Sequence, residues 1–178
     1  MKKYQIIYAD PPWSYKRLHG HSQSNELEYN TATDDFILNL NVKSISDKNC
    51  ILFLWATSPF LEQALKTMNA WGFHYKTVAF VWSKKTKNDK LAYTMGFWTM
   101  GNVEYVLLGT KGQIKRQTKT IKQLIIEKRT KHSAKPLLIK EKIVELMGKD
   151  LKKIELFARE KTEGWDVFGD EVKSDITL

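Results

Sequence analysis

The sequence has a single cysteine, no uninterrupted apolar stretch longer than Cys50–Ala56, no internal repeat and no glycine-rich loop behind its first apolar segment. Each absence excludes something. Cys50 has no internal disulfide partner and reads as a small core residue of a reducing compartment. The Cys50–Ala56 run is far too short for a membrane span. At the N terminus, Lys2-Lys3 is followed by only a few apolar residues before Asp10-Pro11-Pro12, so no secretory signal is expected and the predicted location is the cytoplasm, away from membranes. Without the glycine-rich turn, a dinucleotide-binding fingerprint is excluded.

What is present suits one domain. The 178 residues are 42% apolar and 12% aromatic, enough for one core and too little for two ordinary ones, so a single domain over 1–178 is expected. Lysine and arginine number 29 against 20 acidic residues, a formal charge of +9 that favours a polyanionic partner. The excess is concentrated: residues 111–135 carry nine basic side chains and one acidic, which marks them as a basic, target-recognition-like insert.

Strand-like runs alternate with helical patterns, which predicts an α/β domain with a largely parallel sheet. Strands are expected at Gln5–Ala9, Cys50–Trp55, Thr77–Trp82, Glu104–Gly109 and Lys153–Ala158. Helices are expected after Ser58-Pro59 and from Pro136 to Gly148, where apolar residues recur at helical spacing. The window between Lys111 and Lys135 has an apolar patch at Leu124-Ile125-Ile126 and no assigned element.

The sharpest motif is Asp10-Pro11-Pro12-Trp13 at the carboxyl end of the first strand, where open α/β sheets place their ligands. An exocyclic amine on a nucleobase is a weak nucleophile with two hydrogens to donate. A carboxylate at Asp10 and a backbone carbonyl in Pro11-Pro12 supply two acceptors, and proline leaves no competing amide hydrogen. Trp13 offers a face for a flipped base. The same tetrapeptide also reads as a rigid turn after a strand, with the tryptophan in the core.

Further blocks follow in order: Tyr29-Asn30-Thr31, Leu52-Phe53-Leu54-Trp55-Ala56-Thr57, Trp71-Gly72-Phe73, Val81-Trp82-Ser83-Lys84, Gly96-Phe97-Trp98 through Gly109, His132-Ser133-Ala134-Lys135-Pro136, and Ile154-Glu155-Leu156-Phe157-Ala158-Arg159 with Gly164-Trp165. With Asp10-Pro11-Pro12-Trp13, this series resembles the MT-A70-like methyltransferases, which transfer a methyl group from S-adenosylmethionine to the N6 amine of adenine. The resemblance covers most of the chain. It implies a Rossmann-like class I methyltransferase fold, permuted so that the catalytic strand comes first and the cofactor-binding strand last.

Carried across residue by residue, the resemblance implies that Asp10, Pro11, Pro12 and Trp13 are catalytic. It places the cofactor against Asp10, Pro12, Ser133, Lys135, Phe157, Arg159, Asp170 and Glu171, with the Lys135 ammonium on its carboxylate. Glu155 is expected to tie down Arg159 or another donor. Two departures stand out: the turn Phe157-Ala158-Arg159 has no glycine where related amino-methyltransferases often do, and Asp170-Glu171 occupies the place of an amide pair in animal members. The adenine of the cofactor is left without an assigned residue.

For the nucleic acid, the expected contacts are Trp13, Tyr15, Lys16, Arg17, Tyr29, Lys84, Lys115 and Arg116. His19 and His21 lack suitably spaced cysteine or carboxylate partners, so no metal is expected. A compact chain of this kind looks like bacterial or phage members of the family, which points to DNA, acting as a monomer or homodimer. RNA adenine, the N4 amine of cytosine and a non-catalytic nucleic-acid-binding subunit are the rival readings.

Overall fold

The computed structural model describes residues 2–14, 33–128 and 134–178. Strand β1 (Tyr4–Ala9) is hydrogen-bonded in parallel to β2 (Ser46–Ala56) on one side and β6 (Lys153–Leu156) on the other. Beyond β6 lies β7 (Asp166–Phe168), also parallel. Beyond β2 comes β4 (Val103–Lys111), which runs antiparallel and is flanked by β3 (His74–Lys85); β5 (Leu124–Lys128) closes that edge in parallel to β3. The seven-stranded order is β5-β3-β4-β2-β1-β6-β7. This mixed α/β sheet is consistent with the Rossmann-like methyltransferase fold that the resemblance implies.

Successive side chains of a strand point to opposite faces, and both faces here are covered. Ile7, Leu52 and Leu54 pack on one face beneath α1 (Asp34–Asn39), α2 (Val42–Ile45) and α3 (Leu61–Ala70), against Ile37, Val42, Met68 and Trp71. Ile6, Tyr8, Phe53 and Trp55 pack on the other against Ile139, Ile143 and Met147 of α4 (Leu137–Met147). Double coverage is the reason the Cys50–Ala56 run can be apolar without a break.

The ends of the elements follow local chemistry. Pro59 sits in a 3-10 turn, Ser58–Phe60, that leads into α3. Gly72, at φ +83°, lets the chain reverse after α3: its amide donates to the Asn69 carbonyl and the Phe73 amide to that of Met68, a Schellman ending. At Gly109 a side chain would meet the Met68 sulfur at 2.6 Å and the Phe73 Cβ at 3.2 Å, so α3 can lie close on β4 only because this residue has none.

Several expectations are corrected in detail. β2 and β3 extend beyond the apolar runs into polar residues, because ladder partners on β1, β4 and β5 hold them there. The patch at 124–126 is the edge strand β5, and β7, α1 and α2 are elements beyond those expected. The last expected strand ends at Leu156 rather than Ala158, since Phe157 turns the chain at φ +62°.

Candidate active site

The carboxyl ends of β1, β2, β3 and β6 gather at one end of the sheet, and β4, running the other way, starts there. Asp10 follows β1 directly, its amide donating to the Leu156 carbonyl of β6. Pro11 is buried, Pro12 is half-buried, and the Pro11 carbonyl accepts from the Trp13 amide at 2.9 Å, which closes the turn.

Across this turn lies a row of alternating charges. The Lys135 ammonium is 2.7 Å from Asp10 Oδ2 and 3.5 Å from Glu104 Oε2. The other oxygen of Glu104 pairs with Lys84. The two ammonium groups lie over tryptophan rings, Lys135 at 5.2 Å from the Trp55 centroid and Lys84 at 4.9 Å from that of Trp82, an arrangement that adds cation–π attraction. Trp55 and Trp82 meet edge to face, and the Trp55 indole donates to the Tyr8 hydroxyl at 2.6 Å. The row thus stands on a buried aromatic floor.

Burial and charge compete in each group. Burial penalises the Asp10 carboxylate and holds its pKa above the ordinary value, although Lys135 pulls the other way and Glu104 adds to the rise. At Glu104 burial also opposes ionisation, but Lys135 and Lys84 together win and the pKa is lowered. For Lys135 burial disfavours the charge, yet Asp10 and Glu104 push it up to about 12. The cation between two carboxylates is therefore firmly charged at neutral pH, while burial holds Asp10 closer to protonation than an exposed aspartate.

Trp13 is buried. Its indole donates to the Trp55 carbonyl at 3.1 Å and its ring stacks on Phe60 with centroids 6.0 Å apart. In this arrangement the tryptophan anchors the Asp10 turn to β2 and the segment ahead of α3.

On the other side of β1 is the turn after β6. Phe157 adopts a left-handed backbone at φ +62°, the conformation glycine tolerates best, so the missing glycine of this turn is replaced by a strained phenylalanine packed against the core. The Ala158 amide donates to the Phe168 carbonyl, and a Cβ on Gly169 would lie 2.1 Å from the Ala158 carbonyl oxygen. The bare backbone of Gly169, just after β7, thus keeps the turn in place. Arg159 pairs with Glu171 at 3.2 Å, and Asp170 is exposed. Glu155 ties down Lys140 of α4 at 2.6 Å, not Arg159, and Lys140 also donates to the Thr162 hydroxyl. Burial keeps the Glu155 pKa raised in spite of Lys140.

The structure therefore brings Asp10, Pro11, Pro12, Trp13, Lys135 and Lys84 together, with Phe157 and Arg159 on the neighbouring strand's turn. Lys115 and Arg116 are exposed at the far end: β4 has carried the chain to the start of β2, where the Gln113 amide bonds to Asn49, and the Gln117 amide bonds to Leu146 at the end of α4. Only β5 returns the basic segment to the Asp10 end, with Lys128 opposite Lys85. Tyr15, Lys16, Arg17, His19, His21, Tyr29 and Ser133 lie outside the described residues. Among the described residues, no group of three or more histidine, cysteine or acidic side chains could hold a metal ion, and no helix is long and apolar enough to cross a membrane.

Sequence reasoning missed Glu104, which joins Lys84 to Lys135, and the floor of Tyr8, Trp55 and Trp82. The signal for Glu104 was present: it is the lone acidic residue of a largely apolar strand, one residue into β4.

The family model MT-A70 matches residues 4–171. The type II methyltransferase M.MunI of a Mycoplasma species is 37% identical over 190 residues, covering 96% of this chain and 78% of that protein. The human N(6)-adenosine-methyltransferase catalytic subunit METTL3 is 29% identical over 160 residues, covering 88% of this chain but 26% of its own length. The Arabidopsis thaliana N6-adenosine-methyltransferase non-catalytic subunit MTB is 31% identical over 120 residues, with 65% of this chain and 15% of that protein covered.

Proposed function

This chain belongs to the MT-A70 family, and on that footing we propose that it methylates the N6 amine of adenine in DNA, using S-adenosylmethionine. The observation that carries the reading is the Asp10-Pro11-Pro12 turn at the end of β1 with the Lys135 ammonium 2.7 Å from its carboxylate. Adenine is favoured by the relatives named as N(6)-adenosine-methyltransferases. DNA is favoured because the type II methyltransferase is matched over most of its length, whereas METTL3 is matched over about a quarter.

The donor set suits the cofactor. An α-amino acid end carries a carboxylate and an ammonium, and Lys135 and Asp10 present the complementary cation and anion side by side. Exchange of their mutual pair for the two ends of such a zwitterion leaves no uncompensated charge in the site. The turn at Phe157–Arg159, held by Ala158 and the bare backbone of Gly169, is the companion wall. When bound, S-adenosylmethionine supplies an electrophilic methyl group on a positive sulfonium.

Asp10 and a carbonyl of the proline pair accept the two hydrogens of the amine and orient its lone pair. Pro11 and Pro12 offer no amide hydrogen that would compete for the carboxylate. Positioning of this kind contributes several kcal/mol toward the barrier, and Asp10 need not be a strong base because the amine becomes acidic as it is methylated. Glu104 holds Lys135 and Lys84 apart at fixed points.

We read the sheet as the class I methyltransferase sheet entered at its catalytic strand. Supporting this is β1 inside the sheet between β2 and β6, antiparallel β4 between β2 and β3, and the cofactor-type turn late in the chain after β6. The described residues then form one methyltransferase domain. Within the basic segment, Lys128 and Lys135 stand at the target end.

Incubation of purified protein with S-adenosylmethionine and unmethylated DNA, followed by digestion to nucleosides, tests the reading. N6-methyladenine is expected. N4-methylcytosine, or modification of RNA alone, would overturn it.

A further inference from the structure

The connection between β3 and β4 leaves the active site at Lys84 and returns at Glu104, and it reverses twice: in a tight turn at 86–90 closed by a Lys85–Leu91 bridge, and in a hairpin closed at Thr94 and Gly101. Thr94 and Gly101 exchange both backbone hydrogen bonds, 2.7 and 2.9 Å, and the Thr94 hydroxyl adds a third to the Gly101 carbonyl. The stem is further pinned where the Ala92 amide donates to the Lys84 carbonyl and the Lys84 amide to that of Asn102. At the tip, a Cβ on Gly96 would lie 2.2 Å from the Thr99 carbonyl oxygen, so the six residues 95–100 are folded back tightly on themselves.

This well-braced tip displays apolar side chains. Trp98 is 98% exposed and Met95 94%, with Met100 and Tyr93 more than half exposed. A large aromatic ring held out in water on a hydrogen-bonded stem has no use in the core. Apolar side chains grouped in this way on one exposed tip mark a contact site.

The charge beside the hairpin says which kind. Residues 84–102 contain Lys84, Lys85, Lys87 and Lys90 against the single acid Asp89; Lys84 pairs with Glu104, and Lys85 and Lys128 with Asp89, so the charge offered to a partner is that of Lys87 and Lys90. A second copy of the chain would bring the same lysines against these. A polyanion bearing flat apolar rings fits both the lysines and the aromatic tip. Trp98 is six residues from Glu104, so its backbone lies within about 20 Å of the charged row.

We propose that the 86–102 connection is a nucleic-acid contact in which Trp98, at the tip of its 94–101 hairpin, stacks on a base next to the target, filling the space that an extruded adenine leaves. Lys87 and Lys90, exposed in the adjoining 86–90 turn, meet the flanking phosphates. The proposal rests on the functional reading above and names a specificity element for it, separate from Asp10 and Lys135.

The test uses a fluorescein-labelled duplex carrying an adenine that the wild-type protein methylates. Trp98→Ala is expected to weaken its binding about five- to a hundredfold, the range that base–aromatic stacking supplies, while Trp98→Tyr restores most of the affinity. Calorimetric titration with S-adenosylmethionine is expected to match wild type, which shows that the variant is folded. Unchanged duplex affinity in an active Trp98→Ala protein would overturn the hairpin proposal and leave the methyltransferase reading standing. So would conversion of a wild-type dimer to a monomer, in sedimentation, with duplex affinity unaltered. A wild-type protein that methylates no DNA would instead remove the functional reading, and this proposal with it.

Discussion

Lys135 and Asp10, 125 positions apart in sequence, meet at 2.7 Å, and the same ammonium reaches toward Glu104 at 3.5 Å. One cation thus holds two carboxylates in a site where burial would penalise each of the three charges alone.

Removal of Asp10 separates chemistry from binding. Asp10→Ala is expected to lower methyl transfer at least a hundredfold, while affinity for S-adenosylmethionine stays within about tenfold because Lys135 remains. Radiolabelled methyl transfer and calorimetric titration check the two halves.

Removal of the cation has the opposite signature. Lys135→Met leaves the buried Asp10 without its cation and Glu104 with Lys84 alone, so a loss of roughly 1–3 kcal/mol in stability and at least tenfold in cofactor affinity is expected. Urea unfolding and titration calorimetry measure them, and an unchanged cofactor affinity would refute the assignment of Lys135.

The pH dependence of stability has two limbs. The pKa of Lys135 is raised on folding, so its contribution is fully present below the ordinary value of 10.5 and is lost as pH rises through about 12. The pKa of Glu104 is lowered on folding, so its contribution is present above the ordinary 4.5 and is lost as pH falls through its depressed value. The raised pKa of Asp10 acts against Glu104 on the acid side. Urea midpoints across pH are expected to fall at both ends, with Glu104→Gln weakening the acid limb.

Backbone packing at Gly169 makes a sharp stability test. A methyl group there would sit 2.1 Å from the Ala158 carbonyl oxygen, so Gly169→Ala is expected to cost about 1–3 kcal/mol and to lower Tm by roughly 2–4 °C per kcal/mol. Differential scanning calorimetry reads this. Cofactor affinity is expected to fall with it, since Ala158 lies in the turn after β6.

Charges at the two ends of the sheet are expected to differ in their effect on DNA. Neutralising Lys87 and Lys90 should reduce the slope of log affinity against log salt by about 0.9 for each phosphate that is then left without its lysine. The change expected for Lys115→Ala with Arg116→Ala is smaller, because those side chains lie at the end of the sheet away from Asp10. Duplex binding over a range of salt concentrations compares the pairs.

Much of this protein was legible in its sequence. Apolar runs such as Ile6–Ala9 and Cys50–Trp55 become strands because alternating side chains can be buried on two covered faces, and Asp10-Pro11-Pro12 ends a strand because proline has no hydrogen for the ladder. The blocks that mark the family are local too. What only the tertiary structure decided depends on which strands become neighbours. The antiparallel insertion of β4 sets Glu104 beside Lys135 and carries Lys115 and Arg116 to the opposite end of the sheet. The basic segment looks continuous in the chain and is divided in space, because sheet order is fixed by long-range packing and not by the composition of any one stretch.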